Sequence, residues 1–396
     1  MILVYGQSLA FGHTGLSTAF TPINASPRAG DDFLMLPPRA GPYPEGGLSP
    51  FRNQQYGTVR AADFVGDLQA AFEQPNGSPS INNETVCTAL VLTYRRHLPS
   101  NSRFAAIVGG RGGTPIAQLA RGSDPYANLM QCLTAVRDKA RARDARVTVQ
   151  VDAVAWLHGE ADLDSSQERY LAAERRLFSD LAFDIAGITE QAAPVWFIVG
   201  QPAFLKEGSV IAPALAKITH AESARNVVLA GPQYAWGAYA DSAHPAPAAY
   251  MWGGCAFGHA LAEAATRSSK PMLRAIGATR TENTILLRFD VPRGSLRLSP
   301  TISDPGHFGL RYSDDASSAH VVAAEIVGPD TVRLTLNAVP RGGHSKVGIA
   351  DHGTGIPGRR SGARSPLCDE TERTHLFTGE AIPNYACMQT IDVRAL

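Results

Sequence analysis

Ile2-Leu3-Val4-Tyr5-Gly6-Gln7-Ser8 opens the chain. An apolar run of strand length that ends in glycine, a polar residue and a serine sets a hydroxyl at the carboxyl edge of a sheet. Open α/β sheets build their ligand sites at that edge. A serine there matters chemically only if a base reaches it. Far downstream, Asp241-Ser242-Ala243-His244-Pro245 offers an acid and an imidazole three residues apart. Together the two segments point to a nucleophile and its base. The competing reading of Ser8 is a helix cap.

Working outward, short apolar runs alternate with helix-like segments across the first two thirds. Strands are expected at 2–5, 104–108, 147–157, 195–199 and 227–229, and helices at 84–96, 127–145, 167–185, 212–224 and 246–265. Strands bounded by glycine and proline, with helices between them, predict a parallel α/β sheet. Residues 20–56 are rich in Pro, Gly, Arg and Asn without periodicity, and read as a surface excursion that lines or covers the site. Beyond Ser268 the texture changes to short β-type runs at 284–289, 321–326 and 331–336, separated by turn-prone stretches. That pattern predicts a small β-sandwich. The expected division is an enzyme-like domain over 1–267 and an all-β domain over 268–396, consistent with two domains for 396 residues.

Lys+Arg and Asp+Glu both number 36, so the formal net charge is zero. Nucleic-acid binders carry a basic excess, and none is present. Cys87, Cys132, Cys255, Cys368 and Cys387 form no CxxC pair, which argues against zinc and favours buried thiols, with a Cys368–Cys387 bridge as the alternative. No run is long enough to span a membrane. The chain opens on a core strand without a basic-then-apolar leader, and the compartment and oligomeric state stay open.

Four clusters each follow a predicted strand. The first is Gly6-Gln7-Ser8. The second is Gly109-Gly110-Arg111-Gly112-Gly113-Thr114, whose glycines let backbone N–H groups approach a ligand, as an oxyanion hole requires. A turn needing positive φ is the plainer reading, and the Lys-Ser/Thr of a phosphate loop is missing. The third is Trp156-Leu157-His158-Gly159-Glu160-Ala161-Asp162, whose spacing does not suit a metal and whose acids have the orientation of a loop as an alternative role. The fourth is Asp241 to His244. There the i, i+3 spacing lets the aspartate hold one imidazole nitrogen while the other faces the serine; a capped surface turn is its alternative. His97, His220, His259 and His352 lack polar neighbours in the sequence and are expected to be surface or packing residues. In a parallel sheet all four clusters emerge on one side.

These segments resemble the SGNH/GDSL hydrolase superfamily, in its sialate O-acetylesterase-like carbohydrate esterase branch. The resemblance rests on Gly6-Gln7-Ser8, Gly112-Gly113-Thr114, His158-Gly159-Glu160-Ala161-Asp162 and Asp241-Ser242-Ala243-His244, and covers roughly residues 1–267. It implies a three-layer α/β/α sandwich around a five-stranded parallel flavodoxin-like sheet. It also implies Ser8 as nucleophile, His244 as base and then acid, and Asp241 as the residue orienting His244. The oxyanion would be held by the amides of Ser8 and of Gly112 or Gly113, and by His158, which stands where the branch has glutamine. Gln7, Glu160 and Asp162 would support the site. The implied activity is removal of O-acetyl or other short acyl groups from a saccharide, without metal or organic cofactor. A lipase or thioesterase of the same fold, or a catalytically weak carbohydrate-binding protein of a surface or phage-tail-like assembly, are the alternatives. The region after 268 resembles the β appendages that follow such esterase domains.

Overall fold

The computed structural model describes residues 1–12, 33–37, 48, 59–71, 84–99, 102–203, 205–206, 209–267 and 272–396. Strand β1 (Ile2–Gly6) is buried along its whole length, as a run without polar residues must be at the centre of a sheet. It pairs in parallel with β4 (Phe104–Gly110) on one side and β5 (Ala153–Leu157) on the other. Strand β5 continues in parallel to β6 (Trp196–Gln201), and β6 to β9 (Val227–Pro232).

Two further strands extend the sheet beyond β4. Strand β2 (Phe33–Met35) runs parallel to β4, and β3 (Gln69–Ala70) runs antiparallel to β2. The full order is β3-β2-β4-β1-β5-β6-β9, seven strands where five were expected. Phe33, Leu34, Met35 and Leu36 are buried inside the stretch read as surface excursion. Three paired residues are too few to display a period of two, so their apolar content gave no strand signal. The remainder of 20–56, apart from Pro37 and Leu48, lies outside the described residues, as does any cover over the site.

Helices lie on both faces of this mixed α/β unit. Ile2 and Val4 point toward α1 (Val86–Arg95) and α5 (Pro247–Arg267), joining Leu90, Tyr250 and Phe257 in one core. Leu3 and Tyr5 point the other way, toward α2 (Asp124–Arg143) and α3 (Gln167–Thr189), joining Leu129, Leu133, Phe178 and Leu181. Helix α4 (Ala212–Ser223) adds Ala216, Ile218 and Ala221 to that second core. Alternate residues of one strand thus face opposite layers, as the period of two demands. Ser123 and Ser166 cap α2 and α3 by accepting from the amides of Tyr126 and Arg169. A two-residue hairpin, β7 (Leu205–Lys206) with β8 (Ser209–Val210), precedes α4.

The C-terminal region is one seven-stranded sheet where a sandwich of two was expected. It comprises β10 (Arg274–Thr281), β11 (Thr284–Asp290), β13 (Leu310–Ser313), β14 (Val321–Ile326), β15 (Thr331–Leu336), β16 (Lys346–Ile349) and β18 (Gln389–Ala395). The order is β13-β16-β18-β10-β11-β15-β14, and the two edge strands β13 and β14 approach each other. The physical cause is β18. It pairs antiparallel with β16 and parallel with β10, and so welds two groups of strands into one curved sheet around Leu287, Val332, Leu334 and Val347. A short ribbon of β12 (Arg297–Leu298) and β17 (Leu367–Cys368) stands beside it.

The segment before β18 packs back onto the α/β unit. Gln201 exchanges two hydrogen bonds with the Met388 backbone, both 2.6 Å, and the Tyr234 hydroxyl donates to Ala386 O at 2.6 Å. Arg373 meets Glu263 of α5 through two nitrogens, at 2.7 and 2.9 Å. All five cysteines are buried and free, so the Cys368–Cys387 bridge is not formed. No described helix is long and apolar enough to cross a membrane.

Candidate active site

The register of the sheet brings three of the four sequence clusters to one edge. Gly6 pairs with Gly110 and with Leu157, so the residues after β1, β4 and β5 leave the sheet side by side. The two glycines make this possible. A Cβ on Gly6 would lie 2.0 Å from Leu157 O, and one on Gly110 would lie 1.9 Å from Gly6 O. Both have positive φ, 149° and 139°. Any side chain at either position would force the strand ends apart.

Ser8 sits in the turn immediately after β1, which the amide of Ala10 closes on Gln7 O at 2.9 Å. The fourth cluster reaches it from beyond β9 on a tight hairpin. Ala240 N donates to His244 O at 2.8 Å, Ala246 N donates to Ala238 O at 3.0 Å, and Tyr239 pairs across with Pro245. At the tip, Asp241 Oδ1 accepts from the amides of Ala243 and His244, both at 2.8 Å. Its carboxylate also stands 2.9 and 3.0 Å from His244 Nδ1. Burial alone would raise the Asp241 pKa, but these two amides and the imidazole outweigh it and hold the carboxyl below its ordinary range.

An ionised carboxylate only accepts, so Nδ1 of His244 donates to it. In the neutral ring Nε2 then carries the lone pair, and it lies 2.9 Å from Ser8 Oγ. The serine hydroxyl donates to that nitrogen. Sequence spacing anticipated the contact of Ser8, His244 and Asp241, and the three side chains meet.

Gln7 and Glu160 also meet. The Gln7 Nε2 donates to Glu160 Oε2 at 2.6 Å, which holds the third segment against the turn that carries Ser8. Burial pushes the Glu160 carboxyl up to about 7. Asp162 turns away, and its Oδ2 accepts from the amide of Ile116 at 2.8 Å. Gly113 has φ 60° with open space where a side chain would stand, and Gly112 O accepts from Thr114 Oγ1 at 3.0 Å.

His158 departs from expectation. It is fully buried, stacked between the rings of Trp156 and Tyr170, with centroids 4.9 and 5.9 Å away. Its Nε2 lies 2.9 Å from Thr114 O and its Nδ1 lies 2.9 Å from Tyr170 OH. Burial depresses its pKa to about 3, so the ring is neutral and has one N–H. A carbonyl must accept, so that N–H goes to Thr114 and Nδ1 accepts from Tyr170. No donor is left for an oxyanion. His158 and Asp162 instead tether Thr114 and Ile116, and so fix the loop that contains Gly112 and Gly113.

Beneath the site lies a buried polar group that sequence reading missed. Glu174 of α3 accepts from Trp156 Nε1 at 3.0 Å and Lys217 Nζ at 3.1 Å, and contacts His220 Nδ1 at 2.8 Å. All of these side chains are buried. Burial works against the Glu174 charge, yet Lys217 and His220 more than compensate and hold its pKa below the ordinary range. His220 therefore has polar company. The available signal was positional: Lys217 and His220, three apart, share the face of α4 that buries Ala221.

No known family profile matches the chain, and no curated protein sequence matches it. Among solved structures, a carbohydrate acetylesterase from Xanthomonas citri superposes with a TM-score of 0.58 at 14% identity, over 99% of this chain and 80% of that one. A protein from Arabidopsis thaliana gives 0.45 at 18% identity, over 66% of this chain and 96% of that one. NanS gives 0.38 at 14% identity, over 60% of this chain and 78% of that one. The first comparison extends over nearly the whole chain and so over both seven-stranded sheets: this chain shares the fold of a carbohydrate acetylesterase.

Proposed function

We propose that this chain is a serine esterase that removes O-acetyl groups from a saccharide through an acyl-enzyme on Ser8. One observation carries the reading: His244 holds Asp241 with one ring nitrogen and Ser8 Oγ, at 2.9 Å, with the other. The choice of substrate class draws on the shared fold with a carbohydrate acetylesterase. We read residues 1–267 as the catalytic domain and 268–396 as an all-β domain. We also read the order β4-β1-β5-β6-β9 as that of a flavodoxin-like sheet.

In this mechanism Ser8 Oγ attacks the ester carbonyl as its proton moves to His244 Nε2. The imidazolium is stabilised by Asp241 and gives the proton to the departing sugar oxygen, leaving acetyl-Ser8. Water then attacks, His244 takes its proton, and collapse returns that proton to Ser8 as acetate leaves. The developing oxyanion lies toward the amide of Ser8 and the amides of Gly112 and Gly113. Each such donor supplies roughly 3–4 kcal/mol of transition-state stabilisation.

The test uses p-nitrophenyl acetate and a serine-directed organophosphonate. Hydrolysis is expected, with complete inactivation at one phosphonyl group per chain and the label on the peptide containing Ser8. Label elsewhere, or turnover that survives full labelling of Ser8, overturns the assignment.

A further inference from the structure

A groove of about 1130 Å3 opens against the base of the hairpin that presents Asp241 and His244. Residues 237–239 of that hairpin form one side. Pro300, Thr301, Ser303 and residues 356–361 of the C-terminal region form the other, together with Glu380. Tyr239 in the groove wall pairs with Pro245, the residue next to His244. An acetyl group fills a small fraction of this volume, since pockets of about 300–1,000 Å3 hold whole drug-sized ligands. The lining mixes hydroxyls with proline and isoleucine, which suits sugar rings that present both hydroxyl edges and apolar faces.

The charges in the groove are unequal. Glu380 is the one carboxylate in the lining, and its Oε1 is 2.5 Å from Arg359 Nη1. Arg359 also donates from Nε to Ala235 O at 2.7 Å, and its guanidinium lies over the Trp252 ring at 5.0 Å. Its remaining nitrogen, Nη2, is buried without a hydrogen-bond acceptor. Arg360 beside it is exposed and makes no ion pair among the described residues. The groove thus holds two cations against one anion already engaged by Arg359, which leaves the exposed charge of Arg360.

We propose that this groove is a subsite for the sugar units flanking the acylated one, and that it takes an acidic saccharide whose carboxylate pairs with Arg360. Its placement beside the catalytic hairpin gives it meaning only if the esterase reading holds, but its binding chemistry is independently measurable. Guanidinium recognises carboxylates through paired, directional donors, so a uronate unit matches the exposed charge of Arg360.

The experiment titrates the Ser8→Ala chain calorimetrically with tetragalacturonate and with its carboxyl-reduced, neutral counterpart. The acidic tetramer is expected to bind at least tenfold more tightly. In the Ser8→Ala/Arg360→Glu chain that preference disappears, while the neutral tetramer changes by less than twofold. Equal affinity of the two tetramers, binding of neither, or a preference that survives Arg360→Glu overturns the proposal. Failure of the esterase reading shows separately, as absent turnover of p-nitrophenyl acetate by the wild-type chain.

Discussion

Two clusters in this molecule are assembled from the same kinds of side chain and have opposite characters. At the sheet edge, a histidine, a carboxylate and a hydroxyl (His244, Asp241 and Ser8) line up on two turns, and Asp241 is 41% exposed. Beneath β5, His158 and Tyr170, with His220, Glu174 and Lys217, bring the same groups together in a fully buried layer. In the buried layer both nitrogens of His158 meet fixed protein groups, and Glu174 is satisfied by three donors or partners. At the edge, the chain of contacts ends on the hydroxyl of half-buried Ser8. Composition is shared, so the difference is one of position: one set is closed among buried protein groups, and the other ends on a half-buried serine.

The sharpest way to break the comparison is to remove the equivalent residue from the edge cluster. His244→Ala takes away the proposed base and leaves a turn held by the Asp241–amide bonds. Loss of a triad member costs about 10⁴-fold or more in kcat. We expect that loss in p-nitrophenyl acetate turnover, with a urea midpoint close to wild type. Comparable losses of stability and activity would make the edge cluster structural too.

The converse experiment addresses the buried layer. Lys217→Met leaves Glu174 ionised beside His220 and Trp156 with its cation gone. Breaking a buried ion pair by removing one partner destabilises by about 3–5 kcal/mol. We expect a fall of that size in urea unfolding, with kcat per folded molecule within a few fold of wild type. Unchanged stability would mean that the ammonium contributes no net stabilisation to the layer.

The same contrast explains what the sequence disclosed. Ser8, Asp241 and His244 were legible because each depends on local chemistry: a glycine kink at a strand end, or an acid and an imidazole three residues apart. The alternation of strand and helix was legible for the same reason. The role of His158 was not, because its direction is decided by Trp156 on its own strand and by Tyr170 and Thr114, which are distant in sequence. Glu174 and Lys217, 43 residues apart on different helices, meet only through tertiary packing. Strand β2 was hidden by its brevity, and the single C-terminal sheet by β18, whose pairing partners lie on both sides of it.

Glu160 joins the two clusters and gives the finest test. It accepts from Gln7, next to Ser8, and its pKa is raised mainly by burial, with Lys217 beneath pulling the other way. Its ordinary value of 4.5 rises to about 7 in the folded chain. Between those two values the native state keeps a proton that the unfolded chain has released. Stability therefore falls as pH rises through that window, because the native state binds more protons there. Each pKa unit corresponds to about 1.4 kcal/mol, so the shift sets an upper bound of roughly 3.5 kcal/mol on the decline. Glu160→Gln keeps a neutral group beside Gln7 and removes the titration. Urea midpoints measured from pH 4.5 to pH 8 are expected to converge for the two proteins at the acid end, with the wild type falling below the variant toward pH 8. Parallel curves would show that Glu160 titrates as an ordinary surface carboxylate, and that water reaches the boundary between the edge and the buried layer.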